Sequence, residues 1–331
     1  MNDNRLLDII HLKKSFPVPT GLFSHAPDVV QAVDDVSLSV TQGETLGLVG
    51  ESGCGKSTIA KLVLGLEPAD SGDILFKNKS ILNVRGAEKK HYSRKVQMVF
   101  QDPFSSLDPR KKAGSIIGEP LLVHNIGRRR DRTEKVAELM AQVGLQKDYM
   151  NKYPHEFSSG QRQRIGIARA LSLNPELIVA DEPVSALDVS IQAQTINLFL
   201  DLQKRMNLTY LFISHDLSVV RFVSTRIAVM YWGKIVEIAP CNELCDNPMH
   251  PYTEALLSAV PVPDPARVGK RIMLRGEMSG PRTAPGGCIF SNRCPLFRPD
   301  ACMHTQPRLE EKARGHWVAC HVQNEHRCRG G

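Results

Sequence analysis

No stretch of about eighteen uncharged apolar residues occurs anywhere in the 331 residues, so no segment is expected to cross a membrane as a helix. The most apolar region, Leu208 to Trp232, is interrupted by His215, Asp216, Arg221 and Arg226. Met1 to Lys14 has scattered charges and no continuous apolar segment ahead of a small-residue cleavage site. A secretory signal is therefore not expected, and a cytoplasmic location is. The sequence also lacks an internal repeat and the paired C-x2-C spacing of zinc ribbons. Apolar residues make up 42% and charged residues 23%, ordinary values for a globular chain long enough for one large domain or two.

What is present is organised around Gly50-Glu51-Ser52-Gly53-Cys54-Gly55-Lys56-Ser57-Thr58, which fits the phosphate-cradling pattern G-x-x-x-x-G-K-[ST]. Glu44 to Val49 before it predicts a buried strand, and Ser57 to Leu66 after it carries apolar residues at helical spacing. Glycines let such a loop close round a pyrophosphate, so that backbone N–H groups and the positive end of the next helix face the anion. In this pattern Lys56 reaches the β- and γ-phosphates and the Ser57 hydroxyl ligates Mg²⁺. Cys54 within the loop suggests an ATPase sensitive to alkylation.

Taken in order, Leu7 to Lys14 predicts an edge strand, followed by Phe16 and a loop with Pro and Gly through Asp28. Val33 to Val40 predicts a second strand, and Gly72 to Phe76 with Lys95 to Phe100 a further pair, the latter ending at Gln101. From Pro109 to about Tyr153 the pattern is helical, with Val136, Leu139, Met140 and Val143 on one face. Arg128, Arg129, Arg130 and Arg132 read as a solvated helix start. Phe157 to Arg164 leads into a helix at Ile165 to Leu173. Leu177-Ile178-Val179-Ala180 is an apolar run of the kind buried on both faces of a parallel sheet, and it ends in Asp181-Glu182. Ser185 to Asp188 opens a helix from Val189 to Arg205, and the strand Thr209 to Ser214 ends at His215. The alternation of strands and helices predicts a mostly parallel sheet with helices on both faces.

The ordered set Gly50–Thr58, Gln101, Phe157–Gln161, Asp181-Glu182, Ser185–Asp188 and His215 resembles the ATP-binding subunit of an ABC transporter. The segments Gln101-Asp102-Pro103, Ser105 to Pro109, His155 to Ser158 and His250-Pro251-Tyr252-Thr253 resemble its dipeptide/oligopeptide and nickel importer branch. The resemblance implies an α/β fold. It has a P-loop ATPase core with a mostly parallel sheet, an antiparallel β subdomain, and an inserted helical subdomain at about 109–173. The ATP-binding domain would cover 1–260, and a small Cys-containing extension 261–331. It further implies that Asp181 holds Mg²⁺ with Ser57 and Gln101, that Glu182 polarises the attacking water, and that His215 contacts the γ-phosphate. Gly50, Ser52, Gly53, Cys54, Gly55, Lys56, Ser57 and Thr58 would bind the ATP phosphates, and Phe16 would stack on adenine, the alternative for Phe16 being a packed core aromatic. Ser158, Ser159, Gly160, Gln161 and Asp188 would serve the ATP of a second, paralogous ATP-binding subunit in a head-to-tail dimer. The family pattern has Gly where this chain has Ser159.

Two integral-membrane permease subunits and, indirectly, an extracytoplasmic substrate-binding protein are the other implied partners, at the cytoplasmic face of the inner membrane. Asp102 to Pro109 and the neighbouring helical segment are the candidate permease contact. Dipeptide or oligopeptide uptake is the implied work, with nickel or glutathione import as alternatives. A soluble ABC ATPase acting on ribosomes or DNA would carry two fused units or a long coiled-coil insertion, and neither is present. No nucleic-acid partner is expected, although a metal-bearing tail that binds nucleic acid would use the same positive charge.

The first 265 residues are balanced, and the net charge of +7 is carried by residues 266–331, with twelve basic and five acidic residues. Cys288, Cys294, Cys302 and Cys320 lie there, with Cys328 as a spare. In a reducing compartment such clustering suggests metal ligation more than disulfides. Four thiolates suit either a tetrahedral Zn²⁺ or an iron–sulfur cluster. Their long spacings, and Arg293 and Pro295 flanking Cys294, resemble the extension of the peptide-importer branch, which implies [4Fe-4S]. Zn²⁺, with His316 or His321 as possible ligands, and unligated thiols are the alternatives. Cys241 and Cys245, four apart on a helix, read as buried apolar-like residues.

Overall fold

The computed structural model describes residues 4–18, 28–102, 104, 106–260, 272–274 and 286–322. The linker Pro261–Pro265, Pro103, Ser105 and Cys328 lie outside the described residues, as does most of the loop before Asp28. Among the described residues no helix is long and apolar enough to cross a membrane.

Strand β1 (Arg5–Val18) buries Leu7, Ile9 and Leu12, and pairs antiparallel with β2 (Asp28–Thr41). Strand β3 (Thr45–Val49) is buried throughout and leads through the glycine loop into α1 (Lys56–Val63). Then come β4 (Ser71–Phe76), β5 (Lys79–Ser80), α2 (Gly86–Lys95) and β6 (Val96–Val99). The first sheet has the order β2-β1-β4-β5. Leu7 to Lys14 is therefore interior to its sheet and not an edge, because β4 pairs along its second side. The expected pairing of Gly72–Phe76 with Lys95–Phe100 also does not occur. Strand β4 alternates partly exposed and buried positions as one-sided antiparallel strands do, whereas β6 joins the parallel sheet.

The inserted segment is helical, with α3 (Ala113–Val123), α4 (Arg129–Gln142) and α5 (Ser159–Leu171) packed through Ile116, Ile117, Val136, Leu139, Met140 and Ile165. Burial of each such side chain stabilises the packing by about 1.5–3 kcal/mol. Of the four arginines at the start of α4, Arg128, Arg129 and Arg130 are exposed and Arg132 is partly buried. Strand β7 (Leu177–Asp181), α6 (Val189–Met206), β8 (Thr209–Ser214), α7 (Leu217–Val223), β9 (Arg226–Tyr231) and β10 (Lys234–Pro240) complete the main sheet. A two-residue turn joins β9 and β10, with positive φ at both Trp232 (50°) and Gly233 (75°), the hand that matches strand twist.

Beyond it lie α8 (Cys241–Asp246), α9 (Pro251–Ser258), α10 (Pro299–Cys302), β11 (Glu310–Ala313) and β12 (His316–Val318). The main sheet runs β11-β12-β10-β9-β3-β8-β7-β6. Strands β9, β3, β8, β7 and β6 are parallel, while β12 adds antiparallel to β10 through Glu237↔Val318 and Ile238↔Trp317. The C-terminal extension thus continues the ATPase sheet, and its Cys288, Phe290, Cys302 and Val322 enter the same apolar core. The junction is polar at one point. Fully buried Glu237 accepts from the Met249 N–H (2.7 Å) and the His250 N–H (3.1 Å), and pairs with the His316 ring at 2.7 Å.

In this sheet β3, β6, β7 and β8 end on one edge. Val49 pairs with Ser214, Asp181 with Ile213, and Val99 with Ala180. The residues that follow those ends are Gly50, Gln101, Glu182 and His215. Parallel pairing alone therefore gathers them at the carboxyl-end crevice where open α/β sheets bind ligands.

Candidate functional site

The phosphate loop is shaped by close backbone approach. A Cβ at Gly50 would stand 2.2 Å from the Met230 carbonyl oxygen, and one at Gly55, where φ is +110°, 2.0 Å from that of Ala32. Only glycine fits at either position. Lys56, 4% exposed, donates from Nζ to the Gly50 carbonyl (2.8 Å) and the Glu51 carbonyl (2.9 Å). Cys54 is buried beside it, and burial pushes its thiol above the ordinary value despite the neighbouring ammonium. Burial and a raised thiol both act against the expected alkylation sensitivity. Ser52 and Gly53 are exposed, and the Ser57 and Thr58 positions open α1.

Ser57 Oγ lies 3.2 Å from Asp181 Oδ1 and donates to it. Burial raises the Asp181 carboxyl, the Ser57 hydroxyl pulls it back, and the charge of Glu182 raises it further. Two hard oxygen donors on adjacent elements, one a desolvated carboxylate beside a second carboxylate, suit a divalent cation that prefers oxygen. Glu182 itself sits at φ 47°, a left-handed conformation uncommon for a residue other than glycine. Its N–H donates to the Ile213 carbonyl at 2.9 Å, which anchors the turn to the end of β8. One carboxylate oxygen then stands 3.1 Å from His215 Nδ1 and the other accepts from Gln101 Nε2 at 2.8 Å. The carboxylate is held from two sides, with the His215 side chain half exposed.

The segment Ser158–Gln161 is built differently. Ser158 caps α5, its hydroxyl accepting from the Gln161 N–H (3.3 Å) while the Gln161 side chain accepts from the Ser158 N–H (3.1 Å). Ser158 and Ser159 are exposed, and a Cβ at Gly160 would meet Ile191 Cγ2 at 2.5 Å. Asp188 caps α6 by accepting from the Ile191 N–H (3.1 Å) and the Ser190 hydroxyl (2.7 Å), which holds its carboxyl below the usual range. Among the described residues no hydrogen bond joins either segment to the phosphate loop. Phe16 lies on β1, half-buried, with the Lys14 ammonium 5.2 Å from its ring centre.

Sequence reasoning assigned no role to several residues that touch this site. Arg169 donates to the Ser106 carbonyl (2.6 Å) and lies 5.5 Å from the Phe100 ring, while Arg162 lies 4.2 Å from the Phe104 ring. Both arginines tie the loop after Gln101 to α5. Tyr252 accepts from the Glu51 N–H at 2.8 Å, and Arg293 of the extension grips the Glu51 carboxylate. A conspicuous Arg beside Cys294 and a Tyr after His250-Pro251 were visible in the sequence, but periodicity carries no information about contacts two hundred residues apart.

In the extension, all four candidate cysteines are free thiols in one neighbourhood. The Cys288 N–H donates to the Cys302 carbonyl at 2.8 Å. Burial pushes up Cys288, Cys294 (to about 12) and Cys320 (to about 11), with the charges of neighbouring cysteines adding to each. Among the described residues no group of three or more His, Cys, Asp or Glu is placed to hold a metal ion. His316 Nε2 is engaged by Glu237, and His321 Nε2 by the Thr305 carbonyl at 2.8 Å. Cys241 is buried as expected, and a hydrogen bond from Cys245 lowers its thiol from the ordinary value.

Comparison with known proteins gives concordant results. The family model described as ABC transporter matches residues 33–185, and that described as oligopeptide/dipeptide transporter, C-terminal region, matches 236–302. The chain is 55% identical over 324 residues to the oligopeptide transport ATP-binding protein AppF of Bacillus subtilis, covering 97% of this chain and 98% of that one. It is 49% identical over 320 residues to the oligopeptide transport ATP-binding protein OppF of Salmonella typhimurium, covering 95% of each. A solved dimer of the ATP-binding cassette MJ0796 in a post-hydrolysis state, bound to ADP and Pi, shares 26% identity at a TM-score of 0.63, over 71% of this chain and 98% of that one.

Proposed function

The chain belongs to the ABC transporter ATP-binding family, and from that premise we propose that it is the ATP-hydrolysing subunit of a peptide importer. It energises uptake of dipeptides or oligopeptides through permeases it does not itself contain. The observation that carries the ATPase reading is the cluster in which Gln101 and His215 hold the Glu182 carboxylate beside the Ser57–Asp181 pair. The match of 236–302 and the names of the relatives support peptide as the cargo.

On this reading the nucleotide phosphates enter the glycine loop, Phe16 stacks on adenine, and Lys56 turns from the loop carbonyls toward the β- and γ-phosphates. Mg²⁺ held by Ser57, Asp181 and Gln101 supplies charge neutralisation at the phosphates when bound. Glu182 accepts a proton from the water that attacks the γ-phosphorus as the bond to the β-phosphate oxygen breaks, and His215 orients that water against the phosphoryl oxygens. Little covalent chemistry is needed from the chain beyond positioning and charge stabilisation.

Ser158, Ser159, Gly160, Gln161 and Asp188 serve the ATP of a second, paralogous subunit, because free N–H groups at the start of α5 favour a γ-phosphate. Two permease subunits at the cytoplasmic face of the inner membrane, and through them an extracytoplasmic binding protein, complete the assembly. The shared neighbourhood of the four tail thiols is what supports a [4Fe-4S] cluster there. No step above depends on it, and iron with acid-labile sulfide in anaerobically purified protein tests it.

Purification from detergent-solubilised native membranes tests the importer reading. Two multi-spanning permeases, a second ATPase and uptake of labelled peptide that is lost on deletion are expected. Recovery of ribosomes or DNA, or uptake of nickel or glutathione instead, overturns it.

A further inference from the structure

The phosphate loop carries a carboxylate that the phosphate chemistry does not ask for. Glu51 follows Gly50 directly, so an unneutralised side chain there would oppose the anion the loop is shaped to receive. Every polar group of Glu51 is nevertheless engaged. Its N–H donates to the Tyr252 hydroxyl (2.8 Å), and its carbonyl accepts from Lys56 Nζ (2.9 Å) and the Cys54 N–H (3.3 Å). Its two carboxylate oxygens accept from the two terminal nitrogens of Arg293, at 2.7 and 3.1 Å.

Arg293 comes from the C-terminal extension, 242 residues further along the chain, and its side chain is only 11% exposed. Beneath the pair lies an aromatic box. Tyr231 at the end of β9 packs at 4.7 Å against the tilted ring of Tyr252 of α9, and Phe290 of the extension meets the two at 5.2 and 5.6 Å. The guanidinium lies 5.9 Å from the Tyr231 ring centre. Three separate parts of the chain therefore converge on one loop residue.

We propose that Arg293 is a positioning residue for the phosphate loop, neutralising Glu51 and fixing its direction so that the loop keeps its anion-binding shape. This rests on the nucleotide site described above. A bidentate guanidinium–carboxylate pair sets both direction and charge, which a single ammonium does not. The extension thereby acts on nucleotide affinity without touching the nucleotide. Since Phe290 and Arg293 share a short segment with Cys288 and Cys294, a rearrangement of the cysteine tail is felt at the loop.

The test is ATP and ADP binding to the full chain by calorimetry, together with steady-state hydrolysis. Arg293→Gln is expected to weaken ATP binding about tenfold, and ADP binding less because the nucleotide carries less charge. KM for ATP rises while kcat at saturation changes little, the pattern of a lost binding contribution. Adding Glu51→Gln to Arg293→Gln removes the uncompensated carboxylate and recovers most of the affinity, while Arg293→Lys recovers part. Unchanged ATP affinity in Arg293→Gln overturns the proposal. So does a loss that Glu51→Gln fails to recover, which would mark a general packing role. Failure of the unaltered chain to bind ATP would overturn this proposal and the nucleotide reading together, whereas failure in the variants alone strikes only the clamp.

Discussion

The phosphate loop and the segment Ser158–Gln161 both lead into helix N-termini, at α1 and α5, yet the chain encloses only the first. Lys56 is 4% exposed and bonded to two carbonyls, and Glu51 is held by Tyr252 and Arg293. Ser158 and Ser159 face solvent, held by their own capping box, and Val189 beside Asp188 is 82% exposed. On the proposed reading, this difference is that of a chain that completes the phosphate-binding half alone and offers the other half to a partner, in keeping with the dimeric form of the solved MJ0796 cassette.

The comparison is broken most severely at Glu182. Glu182→Gln should lower the hydrolysis rate at least about a hundredfold, the ordinary contribution of a positioned base, while ATP binding is retained. Retained turnover in a phosphate-release assay would mean that the enclosed half does not carry the chemistry.

Acid sharpens the contrast next. His250 caps α9 under the phosphate loop, its ring Nδ1 accepting from the Tyr252 N–H at 3.1 Å, and burial pushes its pKa down to about 4. The unfolded chain takes up that proton near 6.5, so the loss of stability grows as pH falls from about 6.5 and levels off below about 4. Its full size is on the order of 3 kcal/mol. Denaturant midpoints across that window should fall in the parent chain and fall less in His250→Asn, and parallel curves would refute the assignment.

The smallest effect is expected at the open half. Ser158→Ala removes one cap and should cost about 1 kcal/mol in unfolding free energy while leaving the chain's own ATP affinity intact. A loss of ATP affinity in the isolated chain would show that the two halves are not separate.

Much of the nucleotide side was legible because its signals are local. The loop needs glycine at Gly50 and Gly55, the buried strands read as apolar runs, and their order along the chain, with parallel pairing, puts Gln101, Asp181, Glu182 and His215 at one sheet edge. The place of β1 was misread because an edge strand and an interior strand of a one-sided sheet carry the same alternation; only the partner β4 distinguishes them. The tail was legible only in part. Four cysteines in one short segment suggest ligation, and the structure adds that Cys288 and Cys302 are also buried in the shared apolar core.

The sequence by itself determined the phosphate loop, the strand–helix alternation and the carboxylates at a strand end, since each depends on residues close together in the chain. Only the tertiary structure decided that the extension continues the ATPase sheet and that Arg293 meets Glu51. Such contacts arise from the summed packing of elements far apart in the chain, and a pattern read along one dimension does not contain them.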